Sequence, residues 1–219
     1  MRELDLIIFG ATGYTGRLVV EAFLEFPEPG LRWAMAGRNL EKLSQVRSDL
    51  AERFPEASAL PLVEANVEDS ASMLAMAKRA RVICTTVGPY ARLGDAVVDA
   101  CLAAGTDCCD LTGEVSWMRK NIDAHHEQAE RQNIRIVHAA GFDSIPFDIG
   151  VFALQKAAIE RWGVPAQRVR TATRSLKGGF SGGTIASMAL LFDAIRRDRS
   201  MLRLMANPYA LVPGETGPD

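Results

Sequence analysis

The chain has 219 residues, 48% of them hydrophobic and 24% charged, with a formal net charge of -2; that length holds one large domain, or one domain and part of another. The balance carries no cationic excess to draw in DNA, RNA or anionic lipid, so nucleic acid is excluded as an expected partner. The longest apolar stretches, such as Met188 to Phe192, fall well short of the about 20 residues that cross a bilayer, so no transmembrane segment is expected.

Met1-Arg2-Glu3-Leu4-Asp5 leads straight into a strand pattern with no charged leader or apolar signal core, which points to the cytoplasm. A strand over Leu6 to Phe9, a helix from Tyr14 to about Phe26 and a strand over Leu31 to Ala36 make a βαβ unit. The pattern repeats with a helix from Leu40 to Phe54, a strand from Leu60 to Ala65, a helix from Ser70 to Arg79 and a strand from Arg81 to Val87. Helices over Leu93 to Ala104 and Ser116 to Gln132, with strands over Asp107 to Leu111 and Ile134 to Ala139, complete the alternation. This order predicts a Rossmann-type α/β fold, a doubly wound parallel sheet. Asp69 is placed to cap the third helix and Gly105 to end the fourth.

After Pro146 one more helix, about Asp148 to Trp162, closes the first domain, taken as residues 1–165. Residues 166–219 read as the beginning of a second α/β domain that is incomplete. It would consist of a β-like run from Arg168 to Leu176, a glycine-rich segment from Lys177 to Gly183 and an amphipathic helix from Thr184 to Arg196. The tail from Asn207 to Asp219 has prolines and glycines and too little apolar periodicity for a packed element.

The chemistry begins at the first strand-to-helix turn, Gly10-Ala11-Thr12-Gly13-Tyr14-Thr15-Gly16. Gly10 permits a tight turn, Gly13 lets backbone approach a phosphate, and Gly16 allows close helix packing. The helix dipole and free N–H groups then face a pyrophosphate, with Thr12, Tyr14 and Thr15 able to add hydroxyl contacts. An NAD site usually places an acid about 20 residues further on, at the end of the second strand. Here that place holds Ala36-Gly37-Arg38-Asn39. Gly37 leaves room for the ribose, Arg38 suits a 2′-phosphate, and Lys42 stands one turn into the next helix. NADP(H) is therefore the expected cofactor, with NAD(H) still possible on these residues; the alternative for Arg38 is a surface-loop role.

Asn66 and Val67 end the third strand, near where adenine would lie, and Thr86-Val87-Gly88-Pro89-Tyr90 ends the fourth, at the switch-point crevice. Val67 is equally compatible with packing, Gly88 and Pro89 with a simple turn, and Tyr90 with either a structural or a catalytic role. Asp110, Glu114 and Asp143 bring carboxylates to the same rim, where caps and loop hydrogen bonds are the plainer explanation. His125 and His126 are neighbours on a polar helix and point about 100° apart, which reads as surface rather than metal site. Cys84, Cys101, Cys108 and Cys109 show no metal spacing and no disulfide framework.

With these motifs in place, the chain resembles the saccharopine dehydrogenase-like oxidoreductases, and within them the bacterial trans-acting enoyl reductase branch. The resemblance rests on the glycine-rich turn, on Ala36-Gly37-Arg38-Asn39-Leu40-Glu41-Lys42-Leu43 and Val87-Gly88-Pro89-Tyr90, and on Asp110-Leu111-Thr112-Gly113-Glu114, Gly141-Phe142-Asp143-Ser144-Ile145-Pro146 and Ser181-Gly182-Gly183-Thr184. It implies NAD(P)-dependent hydride transfer to an enoyl thioester in lipid or polyketide synthesis, on acyl chains carried by a synthase, with Tyr90 as the leading proton donor. It further implies a longer chain whose second α/β domain completes the cleft, a homodimer when that domain is whole, and a cytoplasmic enzyme of which some relatives associate with membranes. Two other readings are a non-catalytic NADP-binding scaffold and an imine reductase of the saccharopine type.

Overall fold

The apolar run Leu4–Phe9 forms strand β1 at the centre of the sheet. In the computed structural model, which describes residues 2–175 and 182–212, Ile8 of β1 pairs with Met35 of β2 (Trp33–Gly37) on one side and with Cys84 of β4 (Ala80–Thr85) on the other. Beyond them lie β3 (Leu62–Glu64), β5 (Asp107–Asp110) and β6 (Ile136–Val137), all parallel, in the order β3-β2-β1-β4-β5-β6. This is the expected doubly wound arrangement, with the strand order reversing between β1 and β4.

Alternation along the strands sends side chains to two helical layers. Ile8 and Met35 bury against Val20 and Leu24 of α1 (Tyr14–Glu25) and Leu43 and Leu50 of α2 (Leu40–Ala51). Ile7 and Ile83 bury on the opposite face against Met73 and Met76 of α3 (Ser70–Arg79) and Val97 of α4 (Tyr90–Ala104). Each such side chain contributes about 1.5–3 kcal/mol. A third cluster, with Tyr90, Val98, Trp117 and Met118, joins α4 to α5 (Val115–Gln132). At the amino end of the sheet the Arg2 guanidinium donates to the carbonyls of Ala77, Ala80, Ala104 and Gly105 and to the Thr106 hydroxyl.

Local signals set the element ends. Asp69 Oδ1 accepts from Ala71 and Ser72 N–H, and Gly105 takes the left-handed conformation at φ 66°. α2 ends at Ala51 rather than Phe54, because Pro55 biases its predecessor away from helix and opens a 3-10 turn, Pro55–Ala59. α4 begins at Tyr90 rather than Leu93, directly after Pro89. β6 has two residues where six were expected; Ala139 at φ 56° turns the chain out of the sheet.

Past β6, α6 (Ile145–Trp162) carries apolar residues all round and buries only Ala158; Phe152 is 69% exposed and Trp162 66%. The expected strand over Arg168 to Leu176 does not form: 168–175 have no regular structure, since no described strand pairs with them, and Leu176 lies outside the described residues. Lys177 to Ser181 of the glycine-rich segment also lie outside, while Gly182 and Gly183 begin α7 (Gly182–Arg197), followed by α8 (Ser200–Ala206). The tail is better packed than its composition suggests. Ala210 is buried, its carbonyl accepts from Arg119 Nη1, and Leu211 joins the third cluster; 213–219 lie outside the described residues.

Candidate functional site

The glycine-rich turn leaves β1 by folding back on β2: Gly10 and Ala11 N–H both donate to the Ala36 carbonyl, and Gly13 N–H donates to the Gly10 carbonyl. Gly10 sits at φ +95°, where a Cβ would stand 2.6 Å from Thr86 Oγ1. A Cβ on Gly16 would stand 2.1 Å from the Gly10 carbonyl oxygen, so α1 can approach the turn this closely only with glycine there. Thr86 fastens the other wall, its hydroxyl donating to the Phe9 carbonyl at 3.2 Å.

Gly13 caps α1 without a side-chain acceptor, and no acid stands in the first turn. The helix therefore presents its positive end and leading N–H groups with no side-chain cap and no acid of its own first turn to neutralise them. Those properties fit a dinucleotide pyrophosphate: a cradle that Cβ atoms would fill, beside a helix end able to bind negative charge. Ala11 is fully buried and offers only backbone, whereas Thr12 and Tyr14 are exposed.

Along the carboxyl edge toward β2 and β3, the expected residues divide. Gly37 is buried at the end of β2, and Arg38 beside it is exposed and makes no hydrogen bond or ion pair among the described residues. Asn39 caps α2, its Oδ1 accepting from Lys42 N–H at 2.8 Å. Asn66 Oδ1 accepts from Glu68 N–H in the turn after β3, and Val67 and Val87 pack against the core. The local roles of Asn39, Asn66 and Val67 thus have a structural account, and Arg38 does not.

On the β4–β5 side a cavity of about 570 Å³ opens. Its walls bring together Gly13 to Gly16, Thr86, Gly88 and Tyr90 with Glu114, Asp143 and the inner side of α7 and α8. Arg38, Asn39, Lys42, Asn66 and Val67 lie outside that cavity.

Tyr90 is 5% exposed. Its hydroxyl donates to the Thr85 carbonyl at 3.2 Å and accepts from Leu111 N–H at 3.5 Å, and its ring packs on Trp117 at 5.5 Å. Burial pushes the phenol above its ordinary pKa. The expectation of Tyr90 as proton donor meets this obstacle directly, because the proton it would give is already committed to backbone.

Two polar pairings escaped sequence reasoning, although it brought Asp110 and Glu114 to this rim. Asp110 Oδ2 lies 2.6 Å from His138 Nδ1 in a nearly buried pair, and Asp110 Oδ1 also accepts from Thr112 and Ala139 N–H. The β5–β6 register carries the signal: Cys109 opposes Val137, so the next residues, Asp110 and His138, stand side by side. Ser187 of α7 makes the second, its hydroxyl donating to Glu114 Oε1 at 2.7 Å. No spacing rule links residues so far apart. His125, expected at the surface, is instead mostly covered, with Asp99 3.8 Å away. The four cysteines are free thiols, and Cys84 and Cys109 are strand partners across β4 and β5, where the neighbouring thiol and burial raise the Cys84 thiol.

Residues 6–137 match the family described as the saccharopine dehydrogenase NADP binding domain, in agreement with NADP(H) as the expected cofactor. Among curated proteins the chain is 44% identical over 212 residues to a candidate trans-acting enoyl reductase of Mycobacterium tuberculosis, covering 97% of this chain and 50% of that protein. It is 40% identical over 211 residues to the trans-acting enoyl reductase of Mycobacterium leprae, covering 96% and 50%. The chain spans about half the length of these curated relatives. Its fold is similar to that of apo histidine-tagged saccharopine dehydrogenase (L-Glu forming) from Saccharomyces cerevisiae, with a TM-score of 0.55 at 14% identity over 73% of this chain and 32% of that one.

Proposed function

The chain belongs to the saccharopine dehydrogenase NADP-binding domain family, and from that premise we propose that it is the cofactor-binding part of an NADPH-dependent reductase acting on an enoyl thioester. The observation that carries this reading is the cavity of about 570 Å³, which runs from the Gly13–Gly16 turn to the apolar side chains Met188 and Leu191 of α7 and Met201 and Met205 of α8. A cleft with a phosphate cradle at one end and an aliphatic wall at the other suits a charged cofactor meeting an acyl chain. The likeness to trans-acting enoyl reductases adds the substrate class and its source, an acyl thioester presented by a separate synthase.

Bound NADPH would supply the hydride for reduction at the β-carbon of the conjugated thioester. The chain's own residues bind and orient. The Gly10–Gly16 turn and α1 receive the pyrophosphate, Gly37, Arg38, Asn39 and Lys42 flank the 2′-phosphate, and Asn66 and Val67 border adenine. Thr86, Val87, Gly88 and Pro89 shape the floor beside the nicotinamide. Positioning of this kind supplies much of what such a transfer requires.

The engaged hydroxyl of Tyr90 favours, as a second reading, a domain that binds cofactor and leaves proton delivery to groups elsewhere. Titrating the chain with NADPH, then following its oxidation on addition of a long-chain enoyl thioester, separates the two. Binding with turnover supports the reductase. Binding without turnover by any enoyl thioester supports the binding module, and no binding of NADPH overturns both.

A further inference from the structure

Among the helix N-termini that open on the cleft, those of α1 and α4 are treated differently. α1 has no side-chain cap and no acid in its first turn, whereas α4, whose cap residue Pro89 has no side-chain acceptor, receives Glu114. Glu114 Oε1 accepts from Tyr90 N–H at 3.0 Å and Oε2 from Ala91 N–H at 2.8 Å. The same Oε1 accepts the Ser187 hydroxyl proton from α7 at 2.7 Å. α7 buries none of its own residues, so this hydrogen bond is a directional tie on an element that packing holds weakly.

We propose that Glu114 is a positioning residue that holds α7 through Ser187 as the movable wall of the substrate cleft, while the cofactor seats on α1 independently of it. The inference rests on the reductase reading of the cavity. Two backbone N–H groups and the positive end of α4 fix the carboxylate's direction and charge, leaving a lone pair aimed at Ser187. Met188 and Leu191, one residue and one turn along from Ser187, line the cavity. Tying Ser187 therefore sets where the aliphatic wall stands. A carboxylate already seated on α4 also repels a second anion there, so that of these two helix ends α1 is the one open to pyrophosphate.

Hydrogen exchange of the unliganded chain tests the tie without any cofactor. Ser187→Ala is expected to raise exchange of the α7 amides about 10-fold, the worth of one charge-assisted hydrogen bond, with the first turn of α4 unchanged. Ser187→Thr, which keeps the hydroxyl, restores protection, and Glu114→Gln raises exchange in both α7 and the start of α4. With NADPH present, Ser187→Ala binds the cofactor within about 2-fold of wild type but binds a long-chain enoyl thioester about 10-fold more weakly. Unchanged α7 exchange in Ser187→Ala overturns the proposal, as does a loss of NADPH affinity equal to the loss of thioester affinity. A wild-type chain that binds no enoyl thioester overturns the reductase reading instead, and the exchange result stands apart from it.

Discussion

A Cβ at position 16 would stand 2.1 Å from the carbonyl oxygen of Gly10, whereas one at position 13 would stand 3.3 Å from the same atom. The two glycines therefore tolerate substitution differently. Gly16→Ala must push α1 off the turn, and such overpacking costs about 1–3 kcal/mol. NADPH affinity should fall about 100-fold, while Gly13→Ala stays within about 10-fold. Fluorescence titration with NADPH, paired with melting curves, measures both, and an equal loss for the two variants would refute this ranking.

Arg38 is exposed and makes no hydrogen bond or ion pair among the described residues, so exchanging it perturbs the fold little. Arg38→Asp should weaken NADPH by about 10- to 100-fold, the worth of a charge-assisted hydrogen bond to phosphate. NADH should change by less than about 3-fold. Parallel losses for the two cofactors would take Arg38 out of the 2′-phosphate site.

Tyr90→Phe removes the hydroxyl that Thr85 and Leu111 engage. A buried hydrogen bond of this kind contributes about 1 kcal/mol, so the variant should melt a few degrees lower and bind NADPH normally. Turnover, where it is observed, should remain within about 5-fold of wild type. A loss beyond about 100-fold with stability intact would restore Tyr90 as proton donor.

Asp110 serves three donors in a nearly buried site: Thr112 N–H, Ala139 N–H and the His138 ring. Asp110→Ala strands all three, and the expected cost is about 3 kcal/mol by urea unfolding. Asp110→Asn keeps one acceptor and should cost less. A loss under about 1 kcal/mol for the alanine variant would mean that water replaces the carboxylate.

Asp95 carries a pH dependence whose sign follows from its partners. Burial raises its pKa, but hydrogen bonds from Lys120, Trp117 and Asn121 and the charge of Lys120 outweigh that and hold it below its ordinary 3.8. A carboxyl lowered by folding stabilises above its unfolded value and loses that contribution as pH falls through the folded one. The stability gap between wild type and Asp95→Asn should thus be full at neutral pH and shrink below 3.8. A gap that is constant with pH would locate the effect in packing instead.

The parallel sheet was legible because its strands, buried on both faces, read as aliphatic runs separated by helical periodicity, and Asp69 and Gly105 ended elements where such residues usually do. The length of β6 was not, since Ile134 to Ala139 is as apolar as a longer strand and only the turn at Ala139 shortens it. The Gly10–Gly16 turn could be read because its geometry is a property of one short segment. The Asp110–His138 pair needs the register of two strands, and the Ser187–Glu114 contact needs a tertiary fold, so neither has a local signature. Arg168 to Ser175 shows the limit from the other side: its residues favour a strand, but a strand exists only beside a partner.

The central position of β1 has a consequence for how the chain is made. Leu4 and its neighbours are synthesised well before β4, yet half their ladder belongs to that strand, beginning at Ala80, and Arg2 has acceptors as late as Thr106. Strand β1 must therefore remain half unpaired, its Ile7 and Ile8 available to wrong partners, until β4 has emerged. Slow, non-local closure of this kind makes the yield of folded protein sensitive to translation speed across the β1–β4 interval.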